Sequence, residues 1–326
     1  MSYSVTTILS RFDDRPIDSP RQRTCWAYVI SLAMALTVAE MRADEPPVNG
    51  DAVIRGGTAA NEIVITTTSR LAGAIHSLKW HGREFIDSAD HGRQLQSASS
   101  FDNTRDAGAE TFNPTEAGSR RDGAGANSTS RLLSLETTET TLRTRSQMAF
   151  WLEAGEKSVG QPARNTEKLS RHILKKQVTI GHRDWPDVLN YRVTFTLPAD
   201  EPHQQAQFEV LTGYMPPAFE SFYRFDRSKR QLVPLTDGPG EQPDPIVFST
   251  ADGEHALGII ALTVPQSMQT GPAYGRWRFV PEKVVKWNCV VRDQQPHEAT
   301  DYAFEVLVPI GTRSRVEAIM AALNSP

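Results

Sequence analysis

The sequence predicts an all-β protein, a large antiparallel sandwich of two sheets that ends in one short helix. Apolar and polar residues alternate along most of the chain, and turns rich in Gly, Pro, Asp and Asn separate the alternating runs. A helical period occurs near the C-terminus. The runs correspond to about 14–17 strands, too many for a standard immunoglobulin-like sandwich. We therefore expect two stacked sheets, one convex and the other concave.

The first 43 residues have the pattern of an export signal. A charge-free run, Cys25–Ala39, follows Arg21 and Arg23, and small residues at Ala39 and Ala43 offer cleavage positions. This run of about 15 residues is short for a membrane span, which needs about 20. The pattern predicts a leader and signal peptide over residues 1–43, an exported protein in the periplasm or outside the cell, and no integral membrane span once the signal is removed.

Residues 44–326 are expected to form a single β-sandwich domain, because no linker divides the strand-rich part. The whole chain has a net charge of −4. Since no basic surplus is present to neutralise phosphates, the composition argues against nucleic acid as a partner. After signal removal Cys289 is the remaining cysteine, so no intrachain disulfide can form. Its alternation with Trp287 and Val291 predicts a small core residue.

Five runs have the clearest strand pattern. They are Leu71–Trp80, Val188–Leu197, Gln207–Met215, Lys283–Arg292 and Asp301–Pro309. Within Tyr191–Leu197 the odd positions are apolar and the even positions polar, so one face should lie in the core and the other face solvent or a cleft. A capping box at Ser314 and Glu317 begins the helix predicted over Ser314–Leu323.

Two long stretches, Ser99–Ser130 and Glu153–Glu167, have no period. Long loops in a compact domain are usually functional or disordered. The segment Asn113–Gly118 is locally stiff because of its proline and glycine, and Asn113 could bind substrate. Glu116 is the best candidate in this loop for a general acid or base, with Asp122 as a second carboxylate. The alternative is an exposed acid with no role.

The segment Leu71–Asp87 resembles the start of galactose-mutarotase-like proteins. In that superfamily a strand with a small-residue turn precedes a hairpin into Gly-x-Glu-hydrophobic, which here is Gly82–Phe85. Asp90–Gln96 then falls where the superfamily places a Gly-Arg segment beside the sugar. The paired histidines and the C-terminal glutamate motif of the family have no recognisable counterpart. The resemblance implies a supersandwich that binds carbohydrate, in a superfamily that also includes domains of glycoside hydrolases and polysaccharide lyases.

Four residues of the Gly-Arg segment are candidates for substrate binding. His91 and Arg93 share one face of a predicted strand, and Gln94 and Gln96 share the other. Glutamine amides can bind vicinal hydroxyls, and an arginine can hold a carboxylate or a ring oxygen. The alternative is a solvated strand edge with a structural arginine.

Three further places could carry chemistry. His172 lies on an apolar strand face and is either a core histidine or an acid–base catalyst. Tyr214 lies in an aromatic-rich Pro-Pro bend and could act as a base or simply pack in the core. Lys286 and Asn288 lie opposite the core face of their strand and either line a cleft or face solvent.

Together these patterns predict an exported carbohydrate-active protein that binds a sugar or polysaccharide on a concave sheet, with cleavage or isomerisation as an open question. An enzyme would be a glycoside hydrolase, a polysaccharide lyase or a sugar epimerase. The alternatives are a non-catalytic carbohydrate- or envelope-binding sandwich and a structural secreted protein. Neither a phosphate-binding loop nor a zinc-binding motif is present, so no cofactor and no metal site are expected.

Overall fold

The computed structural model describes residues 47–102, 109–265, 268, 270–294, 296 and 301–323. These residues belong to one compact unit, Pro47–Pro326. The predicted signal segment lies outside the described residues. In the described ranges no helix is both long and apolar enough to cross a membrane.

Strands dominate the described residues, which contain a single α-helix. The strands are β1 Ala52–Thr58, β2 Asn61–Thr67, β3 Ile75–Trp80, β4 Arg83–Glu84, β5 Gln96–Phe101, β6 Pro114–Thr115, β7 Arg131–Thr137, β8 Thr141–Phe150, β9 Lys157–Ser158, β10 Gln161–Pro162, β11 Leu169–His182, β12 Trp185–Thr196, β13 Ala206–Met215, β14 Ser221–Asp226, β15 Gln231–Pro234, β16 Gly240–Gln242, β17 Ile246–Ser249, β18 Ala256–Thr263, β19 Thr270–Phe279, β20 Val284–Asp293 and β21 Asp301–Gly311. The helix is α1, Arg313–Leu323.

Most strands belong to one antiparallel sheet of 15 strands. Its order is β15-β14-β17-β18-β21-β12-β11-β8-β6-β5-β13-β20-β19-β16, and β7 pairs with β8. The sheet folds over itself, because Phe208 on β13 packs against Phe195 on β12 and Tyr302 on β21, with ring centroids 5.0 and 4.7 Å apart. A four-stranded sheet, β1 to β4, and the β9–β10 hairpin complete the fold. The predicted antiparallel sandwich with one C-terminal helix is confirmed.

Alternation along the chain explains how the strands pack. Tyr191, Val193 and Phe195 on β12 are each 1% exposed, whereas Arg192 between them faces solvent. The run predicted from Leu71 begins later, at Ile75. The reason is a 3₁₀ turn at Ser69–Leu71, after which Ala72 and Gly73 adopt left-handed φ angles of 51° and 78°.

The C-terminal helix and the free cysteine both follow the sequence. Helix α1 begins one residue before the predicted position and buries Val316, Ile319 and Met320. The predicted capping box does not form, because Thr312 caps the helix by accepting from the backbone N–H of Arg315 at 3.3 Å, and Oε1 of Glu317 accepts from the backbone N–H of Leu232 at 2.7 Å. Cys289 on β20 is fully buried, as predicted, and burial raises the pKa of its thiol to about 12. Such a thiol stays protonated and unreactive at neutral pH.

Candidate functional site

A β-bulge on β13 places three polar side chains on one side of the sheet. The register between β13 and β20 shifts between Glu209 and Leu211, so that Thr212 and Tyr214, rather than their neighbours, share the side of Glu209. Bulges add one residue to a strand and re-aim its side chains, and they are frequent beside active sites. Tyr214 then pairs with Lys286 on β20.

These side chains open into a cavity of about 60 Å³, which we call the Lys286 pocket. Its lining residues are Gly92, Gln96, Ala98, Glu110, Asn113, Thr115, Trp151, Glu209, Thr212, Tyr214 and Lys286. Four of the residues predicted from the sequence meet here, namely Gln96, Asn113, Tyr214 and Lys286. A fifth, Asn288, lies directly behind, where its Nδ2 donates to Oε1 of Glu209 at 3.4 Å.

Lys286 is the cationic centre of the pocket. Its Nζ lies 3.7 Å from Oε1 of Glu209 and stands over the rings of Tyr214 and Trp277, 5.6 and 5.4 Å from their centroids. Burial alone would lower the pKa of the ammonium, but Glu209 and Tyr214 hold that pKa above its ordinary value. Lys286 therefore stays charged and contributes a fixed positive charge.

The surroundings of Glu110 favour its uncharged form, whereas those of Lys286 favour its charged form. Burial raises the pKa of its carboxyl; Lys286 partly offsets this shift and Glu209 adds to it. Glu110 therefore keeps its proton to a higher pH than an ordinary glutamate. Two carboxyl groups in different environments can divide the roles of acid and base, and here Glu110 is suited to be the acid.

Tyr214 is half-buried, and burial raises the pKa of its phenol. A phenol with a raised pKa is a poor base at neutral pH, so the base role predicted for Tyr214 does not match this environment. The phenol can still donate or accept a hydrogen bond in the pocket.

Trp151 forms a wall of the pocket. Its ring lies so close to Gly92 that a Cβ there would meet Cη2 at 2.8 Å, which explains the glycine at this position. The backbone N–H of Trp151 donates to the carbonyl of Asn113 at 2.9 Å. A half-buried indole in a polar cavity offers an apolar face on which a sugar ring can rest.

Glu116 lies neither open to a substrate, as the predicted general acid or base would, nor exposed to solvent, as in the alternative. Its side chain is 0% exposed, its Oε1 is hydrogen-bonded to Nζ of the equally buried Lys176, and its Oε2 accepts from the backbone N–H of Ser97 at 3.0 Å. It follows directly on β6, which lies within the large sheet. Asp122, its proposed partner, accepts hydrogen bonds from the backbone N–H of Ser119 at 2.7 Å and from the backbone N–H and hydroxyl of Thr129 at 2.9 and 2.7 Å.

The segment before β5 is a turn rather than the predicted strand. Asp87 and Asp90 accept from backbone N–H groups two residues later, at 3.1 and 2.8 Å, a geometry typical of Asx turns. His91 is consequently 1% exposed, and its two ring nitrogens contact the carbonyls of Gly123 and Arg70, at 2.7 and 2.8 Å.

Arg93, Gln94 and Gln96 are also held by contacts within the protein. Arg93 lies 3.7 Å from a carboxylate oxygen of Asp87 and 3.5 Å from one of Asp90. Gln94 is fully buried and donates to the carbonyl of Asp90. Gln96 lies in the pocket, where its Oε1 accepts from the backbone N–H of Ala117 at 3.2 Å.

His172 lies in a second polar cluster, with Glu201 and His203. Glu116, His172 and Arg93 therefore lie in three different environments. Three residues that line the pocket were not predicted from the sequence, namely Glu110, Trp151 and Glu209. Glu209 could have been found, because it stands at a polar position of the predicted strand Gln207–Met215. Glu110 and Trp151 carry no comparable signal.

No protein-family model matches the sequence, and no curated protein matches it at a significant level. Structural matches have low similarity. The heparan sulfate lyase HepC from Pedobacter heparinus is 13% identical with a TM-score of 0.40, covering 81% of this chain and 35% of HepC. YeaD, a proposed mutarotase from Salmonella typhimurium, is 10% identical with a TM-score of 0.35, covering 87% and 99% of the two chains. The α-galactosidase AgaA from Geobacillus stearothermophilus is 10% identical with a TM-score of 0.43, covering 80% and 40%.

Proposed function

We propose that this protein binds a carbohydrate at the Lys286 pocket and acts on it by general acid–base catalysis. The observation that carries the proposal is the convergence of two carboxyl groups, a phenol and a half-buried ammonium on one small cavity with an indole wall. Glu110 is the acid, and Glu209 is the base. Lys286 and Tyr214 bind hydroxyl oxygens and set the electrostatics of the two carboxyl groups.

The charges in the pocket favour a neutral sugar. Lys286 is the one cationic side chain among the described residues that line the cavity, and it already faces Glu209. A substrate carboxylate would therefore lack a free cation and would lie beside two glutamates. A polysaccharide lyase has to neutralise such a carboxylate, so hydrolysis or isomerisation of a neutral sugar fits the site better.

The size of the pocket limits how much substrate it encloses. Binding sites that enclose whole small molecules have volumes of about 300–1,000 Å³. A cavity of about 60 Å³ admits one hydroxyl or hydroxymethyl group instead. The ring that carries this group would rest outside the cavity, against Trp151. The same small volume favours the second candidate function, carbohydrate binding without turnover.

The test is a screen of neutral oligosaccharides and free sugars for binding, cleavage and change of configuration, followed by carboxylate variants. Glu110→Gln and Glu209→Gln should lower turnover about 10²–10⁴-fold with binding retained, because each loses proton transfer. Glu220→Gln is the matched control, since Glu220 pairs with Arg278 and does not line the pocket. Unchanged turnover in both pocket variants would contradict the proposed mechanism. Binding without turnover in the wild type would favour the second candidate.

Export is also part of the proposal. The support is the charge-free run Cys25–Ala39 behind Arg21 and Arg23. Expression in an export-competent bacterium should give a mature N-terminus at Glu40 or Asp44, measured by N-terminal sequencing of the exported fraction. Recovery of that fraction with Met1 intact would contradict cleavage. The expectation that nucleic acid is not a partner stays a prediction from the net charge.

A further inference from the structure

A cluster outside the pocket brings two histidines to one carboxylate. Oε1 of Glu201 lies 2.5 Å from Nε2 of His172 and 3.1 Å from Nε2 of His203. His172 comes from β11, whereas Glu201 and His203 lie between β12 and β13. Because β11 and β12 pair as an antiparallel hairpin, the start of one strand meets the residues that follow the other.

A proton or a metal ion has to lie between the ring of His203 and the carboxylate of Glu201. Nδ1 of His203 lies 3.0 Å from Oδ2 of Asp102, so both ring nitrogens face carboxylate oxygens, which only accept hydrogen bonds. Asp102 is itself held by Arg164 at 3.1 Å and by the backbone N–H groups of Gln204 and Gln205. With a proton on Nδ1 shared with Asp102, the lone pair of Nε2 points at Glu201.

The side chains of the cluster are mostly buried, and the ring of His203 is packed against a phenylalanine. The side chains of His172 and His203 are 2% and 4% exposed, and that of Glu201 is 20% exposed. The ring of His203 stacks on Phe101 with centroids 4.2 Å apart. Both histidines are thus fixed, and the carboxylate is the side of the cluster that solvent reaches.

We propose that His172, Glu201 and His203 form a binding site for a divalent transition-metal ion, with Zn²⁺ as the best fit. The three ligand atoms lie within 4.8 Å of one another. Two imidazoles and one carboxylate are a ligand set that zinc sites use, with a fourth position left to water. Asp102 on Nδ1 of His203 supplies the outer hydrogen bond that metal-bound histidines usually have.

In the proposed site, the zinc ion would take the place of the protons that lie between the two histidine rings and Glu201. Tetrahedral ligands at about 2.0–2.1 Å from zinc lie roughly 3.3 Å apart. The Nε2–Oε1 separation of 3.1 Å at His203 already matches, whereas the 2.5 Å at His172 requires Glu201 to move outward by less than about 1 Å. Glu201 can make this movement, because it lies on a connection between strands and is the most exposed of the three ligands.

The metal site goes beyond the proposed function, since none of its three ligands lines the Lys286 pocket. The full-length mature chain is stripped with a chelator, dialysed and titrated with Zn²⁺ by calorimetry, with the metal content checked by mass spectrometry. We expect one zinc ion per chain. His172→Gln and Glu201→Gln should each weaken zinc binding by about 100-fold or more. His182→Gln is the matched control, because His182 lies at the other end of the same strand. The affinity of this variant for zinc should lie within about threefold of that of the wild type.

A spectroscopic measurement on the wild type guards against variants that fail to fold. Co²⁺ added to the stripped wild type should give the intense visible absorption of a four-coordinate site, and Zn²⁺ should displace it. The absence of zinc binding by the wild type would overturn the proposal. Equal zinc affinity in the wild type, His172→Gln and Glu201→Gln would overturn it as well, and would leave a hydrogen-bonded cluster held by protons.

Discussion

The protein contains two Glu–Lys pairs of different character. Glu116 and Lys176 are each 0% exposed and touch directly, between the backbone of Ser97 and that of Gly73. Glu209 and Lys286 are each 19% exposed, stand 3.7 Å apart and border a cavity. The first pair is enclosed by protein and has no room for a ligand, whereas the second pair leaves part of each charged group accessible to one.

This difference separates structural from functional charge. An enclosed pair compensates its own desolvation and cannot respond to a ligand. A pair beside a cavity keeps its charges where a substrate can reach them. Chemical type alone would have ranked the two pairs equally.

The largest effect is expected at the enclosed pair. Glu116→Gln leaves the Lys176 ammonium buried without its counter-charge and should lower the free energy of unfolding by about 3–5 kcal/mol. Urea denaturation monitored by circular dichroism measures this change. The double variant Glu116→Leu/Lys176→Met removes both charges and should recover most of the loss. A single variant as stable as the wild type would show that the pair is not enclosed.

A smaller effect on stability is expected at the pocket. Glu209→Gln keeps the hydrogen bond with Asn288 but removes the charge opposite Lys286, which solvent partly reaches. The expected loss is about 1–2 kcal/mol in the same urea experiment, between the losses for an exposed and for a fully buried ion pair. A loss as large as that of Glu116→Gln would contradict the distinction between the two pairs.

The pH dependence of turnover sharpens the role of Glu110. Its carboxyl acts as an acid when protonated, so activity should fall as pH rises through its raised pKa. Because Lys286 lowers that pKa, Lys286→Gln should move the alkaline limb of the kcat/KM profile to higher pH, whatever the effect on the maximum rate. A limb that moves to lower pH would mean that a different group titrates.

The smallest effect is expected at a surface pair. Arg55 and Glu62 are 57% and 53% exposed and lie 3.1 Å apart. Glu62→Gln should change the free energy of unfolding by less than about 1 kcal/mol, and added salt should erase the difference. A larger, salt-independent change would show that the exposure of an ion pair does not predict its contribution to the free energy of unfolding.

The sequence predicted the sheet well, because strands depend on a local pattern. The runs at Val188, Gln207 and Asp301 begin within three residues of β12, β13 and β21, and the helical period near the C-terminus located α1 within one residue. The same alternation put Lys286 and Asn288 on the face opposite the core. These predictions held because a period of two fixes which side chains share a face.

The site could be predicted only in part, since it depends on contacts distant in sequence. Polar composition suggested that Glu116 is exposed, but its partner Lys176 lies 60 residues away and encloses it. The bulge after Glu209 shifts the face of β13 by one residue and gives no sign in the alternation. The histidine cluster needed the β11–β12 pairing to bring His172 to Glu201. The pairing between strands, which the alternation does not reveal, therefore determines which of these side chains meet.

The two-residue strand β6 has a consequence for how the molecule opens. Pro114–Thr115 pairs with β5 on one side and β8 on the other, and it joins the two halves of the long sheet. The Glu116 amide donates to Ser97 across this junction at 3.1 Å. Hydrogen exchange at this amide thus reports on the seam between the halves. Slow exchange would mean that they unfold together, and early exchange would mark β6 as the place where partial unfolding begins.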